Sequence, residues 1–378
     1  MDRLKVAMIA PPWLSIPPSG YGGIEYVLQV LIRELEKRGA QVTLFTVGDA
    51  DIAVHDQKSL FPEPTYSHLG LPLYDAATVP LAHILFALNH IKNAGFDIIH
   101  DHNPEFGAAL LANLDAGSFP PVLHTIHNSF DGHGSGMAKH PLYEQASQAS
   151  RMWFNAISHA QVGTAPQALE QTGLPVVYNA LDPELYPFRR DKENFFLTMA
   201  RFTQNKGQAV AAKLCAELGY KLKMAGSING LSNPRDLQEV QRDASHPANQ
   251  HPDYQYYQRE VASFEKTGAV EYMGNVSGKP KLRLMSAAKA LLFPIDWDEP
   301  FGLAVIEAMA CGTPVVAMKR GAMAELIEHG VNGYLADSIP EFKYYMQRVH
   351  EIDPEDCRAT VEQQFSGDRM AEDYLNLY

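Results

Sequence analysis

The sequence predicts an α/β protein made of two Rossmann-like domains, and three observations point there. The chain opens on a strand, a glycine loop, a helix and a second strand. The same alternation starts afresh at Phe195, and the polar stretch Phe188-Arg189-Arg190-Asp191-Lys192-Glu193-Asn194 lies between the two patterns. A chain of 378 residues is long enough to bury two separate cores. The expected domains are residues 1–187 and 188–364, followed by a closing helical segment over 365–378.

Taken in order, Leu4-Lys5-Val6-Ala7-Met8-Ile9-Ala10 reads as a buried strand, and Pro11-Pro12 and Pro17-Pro18 punctuate a loop. Tyr21-Gly22-Gly23 leads into a helical recurrence of Val27, Leu28, Val30, Leu31 and Leu35, which Gly39 closes before the strand at 41–46. Ligands of such units sit at the carboxyl ends of the strands. No Gly-x-Gly-x-x-Gly follows the first strand, which argues against a dinucleotide site. Gly22 and Gly23 still allow backbone N–H groups close to a ligand.

Strands are expected at 96–100 and 122–128. His100, His102, His124 and His127 suggest a metal, and His100 and His102, two apart, share a strand face. No acid stands at a recognisable ligand spacing beside them, so no metal is expected. His127 differs because it follows a strand, where a ligand would lie. The last strands of the first domain are expected at 155–158 and 175–179.

In the second domain, strand 195–201 ends at Arg201, and Lys206 lies in the loop before a helix from Gln208 to Leu218. Two cations at a strand-to-helix switch can neutralise a diphosphate, Arg as a planar fork and Lys as a point charge. Strand 221–226 follows. Residues 227–267 then turn polar, with tyrosines at 254, 256 and 257, and read as an insertion, a cover or an oligomer contact. Met273 and Gly274 close the next strand, and 290–294 forms another.

The stretch Asp296-Trp297-Asp298-Glu299-Pro300-Phe301-Gly302-Leu303-Ala304-Val305-Ile306-Glu307 places one carboxylate in a loop and a second inside a helix that begins near Phe301 and ends at Gly312. The backbone N–H groups of Phe301, Gly302 and Leu303 and the positive end of the helix dipole suit a phosphate. Taken as an isolated pair, the two glutamates read as a helix-dipole acid and an ordinary helical residue. Beyond this stretch come a strand at 315–317, a turn at Asn332-Gly333 and an amphipathic closing pattern of Phe365, Met370, Tyr374 and Leu377.

Composition narrows the classes. An apolar share of 46% with 20% charged residues is that of a globular protein. A net charge of −13 argues against nucleic acid as a partner, and residues 1–186 alone hold 9 Lys/Arg against 18 Asp/Glu. Nothing approaches a transmembrane length, and Met1-Asp2-Arg3-Leu4-Lys5 runs straight into a strand, so a cytoplasmic protein is expected. Cys215, Cys311 and Cys357 are scattered and odd in number, which points to neither disulfides nor zinc.

The two carboxylates around Pro-Phe-Gly-Leu, trailed by Glu-Ala-Met-Ala-Cys-Gly-Thr-Pro-Val, resemble the signature of the retaining family 4 glycosyltransferases, and Tyr-Gly-Gly-Ile-Glu resembles their N-terminal motif. Asn179-Ala180-Leu181-Asp182 departs from the usual Asn-Gly-x-Asp. The resemblance implies the GT-B fold, two Rossmann-like domains facing across a cleft with the last helix crossing back to the first. It implies a hexose-type sugar moved from a nucleoside diphosphate to a hydroxyl with retention, and neither metal nor cofactor. Arg201 and Lys206 would bind the phosphates, Glu299 the sugar, and Glu307 the ribose. His127 would face the sugar or the acceptor, Gly22 and Gly23 would line the sugar side, and Met273 and Gly274 would border the base. A nucleotide-sugar epimerase of the same architecture and a non-catalytic sugar-nucleotide-binding subunit are the alternatives. Base, sugar and acceptor are not written in the sequence.

Overall fold

The structure is a computed structural model describing residues 3–20, 22–130 and 139–378. Met1, Asp2 and Tyr21, on which parts of the reading above fall, lie outside the described residues. The chain divides into two compact units, residues 1–181 with 367–378, and residues 182–366. The division falls at Leu181/Asp182, a few residues before the polar stretch read from the sequence.

In the first unit, β1 (Lys5–Ile9), β2 (Gln41–Thr46), β3 (Asp56–Ser59), β4 (Ile98–Asp101), β5 (Val122–Thr125) and β6 (Met152–Asn155) form a sheet in the order β3-β2-β1-β4-β5-β6. Every neighbouring pair is parallel. The near-continuous apolar strands follow from this, because helices cover both faces of a parallel sheet. Ala7, Ile9, Ile99 and Val122 pack into one core with Ile84, Leu88 and Ile91 of helix Leu73–Ile91. Helix Gly23–Lys37 buries Val27, Leu28, Leu31 and Leu35 at helical spacing and stops at Arg38, with Gly39 at φ +90°. The closing helix, Gly367–Leu377, packs on it within this unit. Phe365 is not part of that helix: its ring meets Phe301 at 6.0 Å, which places it in the second unit.

The second unit repeats the pattern. β7 (Phe195–Met199), β8 (Lys221–Ala225), β9 (Val270–Gly274), β10 (Ala290–Phe293), β11 (Val315–Met318) and β12 (Gly333–Ala336) run β12-β11-β10-β7-β8-β9. All pairs are again parallel. The stretch 227–267 folds into helices Pro234–Arg242, Pro252–Glu260 and Ala262–Lys266. Its tyrosines are internal: Tyr254 and Tyr257 join the core with Phe202 and Tyr272, and the Tyr256 hydroxyl accepts a bond from Ala209 N at the start of helix Gln208–Leu218.

Each sheet has one place where the strand order reverses, between β1 and β4 and between β7 and β10. At such a point the connections lead to helices on opposite faces of the sheet, and the crevice at the strand ends is where open α/β sheets hold ligands.

Candidate active site

At the β7/β10 reversal the two outgoing loops lock together. Asp296 N donates to Asn205 O at 2.8 Å. Gly207 ends the β7 loop at φ +72°, and a Cβ there would lie 1.9 Å from Pro294 O, so only glycine lets the loops cross this closely. Across this crossing the Lys206 ammonium reaches Glu299 Oε2 at 2.6 Å and lies 4.4 Å from the centre of the Trp297 ring. Lys206 carries three donors, so Glu299 does not exhaust it. Arg201 stands two residues beyond β7, exposed, on the same loop, and its carbonyl accepts from Gln208 Nε2.

The β10 loop is held from the other side as well. Ala322 N donates to Glu299 O at 2.9 Å, and Gly321 N to Asp298 Oδ1 at 3.1 Å. Gly302, at φ +103°, turns the chain into helix Leu303–Ala310. The helix therefore starts at Leu303 rather than Phe301, whose ring is buried in the core. The N–H groups of Leu303 and Ala304 stand in the first turn of that helix, where no intrahelical acceptor exists.

Glu307, one turn further in, is buried. Its Oε1 accepts from Lys281 Nζ at 2.6 Å and from Tyr186 Oη at 3.0 Å. Both partners escape sequence reasoning, since they stand 26 and 121 residues away and neither falls in a motif. Met273 and Gly274 close β9, two strands from β7 and so about 10 Å along the sheet, the reach of an extended nucleotide. Gly226 N bonds Gly274 O and ties the loops after β8 and β9.

The first unit gathers its own polar cluster at the ends of β4 and β5. The rings of His100 and His102 do converge, with centres 4.0 Å apart. His100 Nδ1 meets Tyr378 Oη at 2.6 Å and its Nε2 meets Thr125 Oγ1 at 2.8 Å, while the Thr125 hydroxyl donates to Asn155 Oδ1 at 2.7 Å. His102 Nδ1 and His127 Nε2 are 2.9 Å apart. An acid does stand beside the histidines: Asp101 Oδ2 lies 2.6 Å from His124 Nδ1, a contact made across neighbouring strands that linear spacing does not show. Among the described residues no group of three or more His, Cys, Asp or Glu is arranged to hold a metal. Burial pushes His127 down to about 3 and His102 well below the usual imidazole range, so both are neutral near pH 7.

Gly22 and Gly23 open helix Gly23–Lys37 as the sequence suggests, and Glu25 sits buried in its first turn. Burial raises the Glu25 carboxyl from 4.5 to about 7. The folded protein thus holds this proton more tightly than the unfolded chain. The contribution is intact below the unfolded value and is lost as pH rises through the folded one. Between about pH 5 and 8 the wild-type protein is expected to lose up to about 3 kcal/mol from this group, and Glu25→Gln to flatten that slope. Urea unfolding across the range measures it, and parallel profiles for the two proteins would contradict it.

Comparison with known proteins settles the family. The model described as "Glycosyltransferase Family 4" matches residues 21–185, and that described as "Glycosyl transferases group 1" matches residues 187–356. The chain belongs to glycosyltransferase family 4. This glycosyltransferase is 25% identical to an uncharacterized glycosyltransferase of Methanocaldococcus jannaschii, over 99% of this chain and 98% of that one. It is similar in structure to the sucrose-phosphate synthase of Thermosynechococcus elongatus, with a TM-score of 0.73, 19% identity and coverage of 100% and 98%. It also resembles Anabaena HepE in complex with UDP-glucose, with a TM-score of 0.66, 18% identity and 99% of each chain covered. The fold of the glycosyltransferase is of the GT-B type, and its two Rossmann-like sheets share that architecture with these structures. Among its described residues no helix is long and apolar enough to cross a membrane.

Proposed function

We propose that this glycosyltransferase moves a hexose-type sugar from a nucleoside diphosphate to an acceptor hydroxyl, with retention at the anomeric carbon and without a catalytic metal. The observation that carries the reading is the convergence of Lys206, Glu299 and the start of helix Leu303–Ala310 at the β7/β10 reversal. That is where a sheet of this order takes a ligand, and the groups present there match a sugar diphosphate: cations and N–H donors for the phosphates, a carboxylate for sugar hydroxyls.

The costly event is departure of the nucleoside diphosphate as negative charge builds on its β-phosphate. Arg201, Lys206 and the first N–H groups of the helix are assigned to that charge. One such preorganised donor is worth roughly 3 kcal/mol, and together they stand in for a divalent ion. Glu299 is assigned to the sugar hydroxyls and to the positive character that develops in the ring, and Glu307 to the ribose. Lys281 and Tyr186 hold Glu307 by one oxygen and so fix how its carboxylate is presented. His127 is assigned to the sugar or the acceptor. In a front-side substitution the bond from the anomeric carbon to the phosphate oxygen breaks as the acceptor oxygen bonds on the same face. The acceptor proton passes to the departing phosphate, and no side chain serves as nucleophile.

The test is a panel of nucleoside diphosphate sugars, UDP-glucose first because HepE is seen with it, followed by slow hydrolysis and by protection against thermal unfolding. Release of sugar with the α-configuration from an α-linked donor supports the proposal. Interconversion of the donor sugar with no release would mark an epimerase, and binding without turnover a binding subunit.

A further inference from the structure

His102 and His127 share one hydrogen bond, Nδ1 of the first to Nε2 of the second at 2.9 Å, and two arrangements of protons satisfy it. In one, His127 donates through Nε2–H, and His102, accepting at Nδ1, carries its proton on Nε2. In the other, His102 donates through Nδ1–H, and His127 carries its proton on Nδ1. The surroundings distinguish them. His102 is fully buried, and its Nε2 meets no hydrogen-bond partner among the described residues. An N–H there would have nowhere to donate, whereas a bare lone pair is tolerated far better, because orphaned buried N–H groups are the rarer and costlier case. His127 is partly exposed as a residue, and with Nε2 taken by His102 the ring's remaining nitrogen is Nδ1.

The ring of His102 has little freedom to choose otherwise. It lies 4.0 Å from the His100 ring, and that ring is itself pinned at both nitrogens by Tyr378 and Thr125. The backbone of His102 is held by a bond from its N–H to Ile9 O, which anchors it at the β1/β4 reversal.

We propose that His102 is a positioning residue that locks His127 in the Nδ1–H tautomer, so that His127 presents a hydrogen-bond donor, and not a proton acceptor, to its ligand. The inference rests on the role given to His127 above. It makes His127 a donor to an oxygen lone pair of the sugar or acceptor, and removes it as a general base, since the lone pair that could take a proton is already engaged. It also defines which substitutions of His102 are tolerated. Asparagine can place an N–H where Nδ1 stands, and phenylalanine keeps the stack on His100 but offers no donor.

The experiment is NMR of the full chain labelled with 15N-histidine, in which long-range couplings show which ring nitrogen carries the proton, with His127 assigned by its loss in His127→Asn. The wild-type protein is expected to show His127 protonated at Nδ1. In His102→Phe nothing holds the His127 proton at Nδ1, so the single Nδ1–H signal gives way to a mixture of the two tautomers and turnover falls roughly tenfold, the worth of one hydrogen bond. His102→Asn restores the Nδ1–H signal and most of the turnover. A wild-type His127 protonated at Nε2 overturns the inference whatever the activity. A tautomer that shifts in His102→Phe while turnover stays unchanged upholds the lock and instead overturns the role assigned to His127.

Discussion

Lys206→Ala is expected to lower donor turnover by about a hundredfold or more while the protein stays folded. The substitution removes a cation from the place where phosphate charge is proposed to build, and one donor of this kind is worth about two to three orders of magnitude in kcat. It also strips Glu299 of the ammonium 2.6 Å from its Oε2, leaving an unpaired carboxylate beside the diphosphate. The double variant Lys206→Ala/Glu299→Gln separates the two effects. If Lys206 acts on the phosphates, the double variant remains at least as slow as the single one. If the single variant is slow only because Glu299 is left as an unpaired carboxylate, removing both charges recovers most of the rate. Steady-state kcat with the donor found in the panel decides between them, and circular dichroism checks the fold.

Gly207→Ala is expected to be strongly damaging in the second unit, and Gly219→Ala gives its measure. The two glycines flank helix Gln208–Leu218 and hold nearly the same backbone, φ +72° and +71°. An alanine at Gly219 has nothing within 4 Å of its Cβ, so it carries only the left-handed penalty of about 1–2 kcal/mol. An alanine at Gly207 carries that same penalty and in addition meets Pro294 O at 1.9 Å, a backbone atom of the neighbouring loop that cannot rotate away. A loss of about 3 kcal/mol or more is expected, because the crossing must open. Opening it also moves Lys206 from Glu299, so donor turnover falls with stability at Gly207 and is untouched at Gly219. Urea midpoints and kcat for both variants test this, and equal destabilisation at the two positions would contradict it.

Much of the architecture was legible because its signals are local. A parallel strand buried on both faces reads as a short apolar run, as at Val6–Ile9 and Leu291–Phe293, and the glycine after it marks the turn into a helix. The grouping of the candidate residues in the second domain was legible for a related reason. Arg201 and Lys206 sit on one strand-to-helix connection, Glu299 sits on another that leads into the helix carrying Glu307, and the sheet order brings the two connections side by side. What failed was what depends on distant neighbours. The run Asp56–Ser59 is polar and becomes a strand only by pairing with β2. The tyrosines at 254 and 257 look like surface residues of a polar stretch, yet they fill the core beside Phe202. The partners of Glu307 and the Asp101–His124 contact are tertiary, and no spacing announces them. Phe365 carries the right period for the last helix but packs on Phe301 instead.

The most direct test of the site is a crystal structure of the protein soaked with the nucleoside diphosphate of the donor it accepts. The diphosphate is expected at the β7/β10 reversal, within hydrogen-bond reach of Lys206 and Arg201 and in front of Leu303 N, with a ribose hydroxyl on Glu307. A diphosphate bound anywhere else on the second unit, with Lys206 still turned only to Glu299, would remove the basis for every role assigned there.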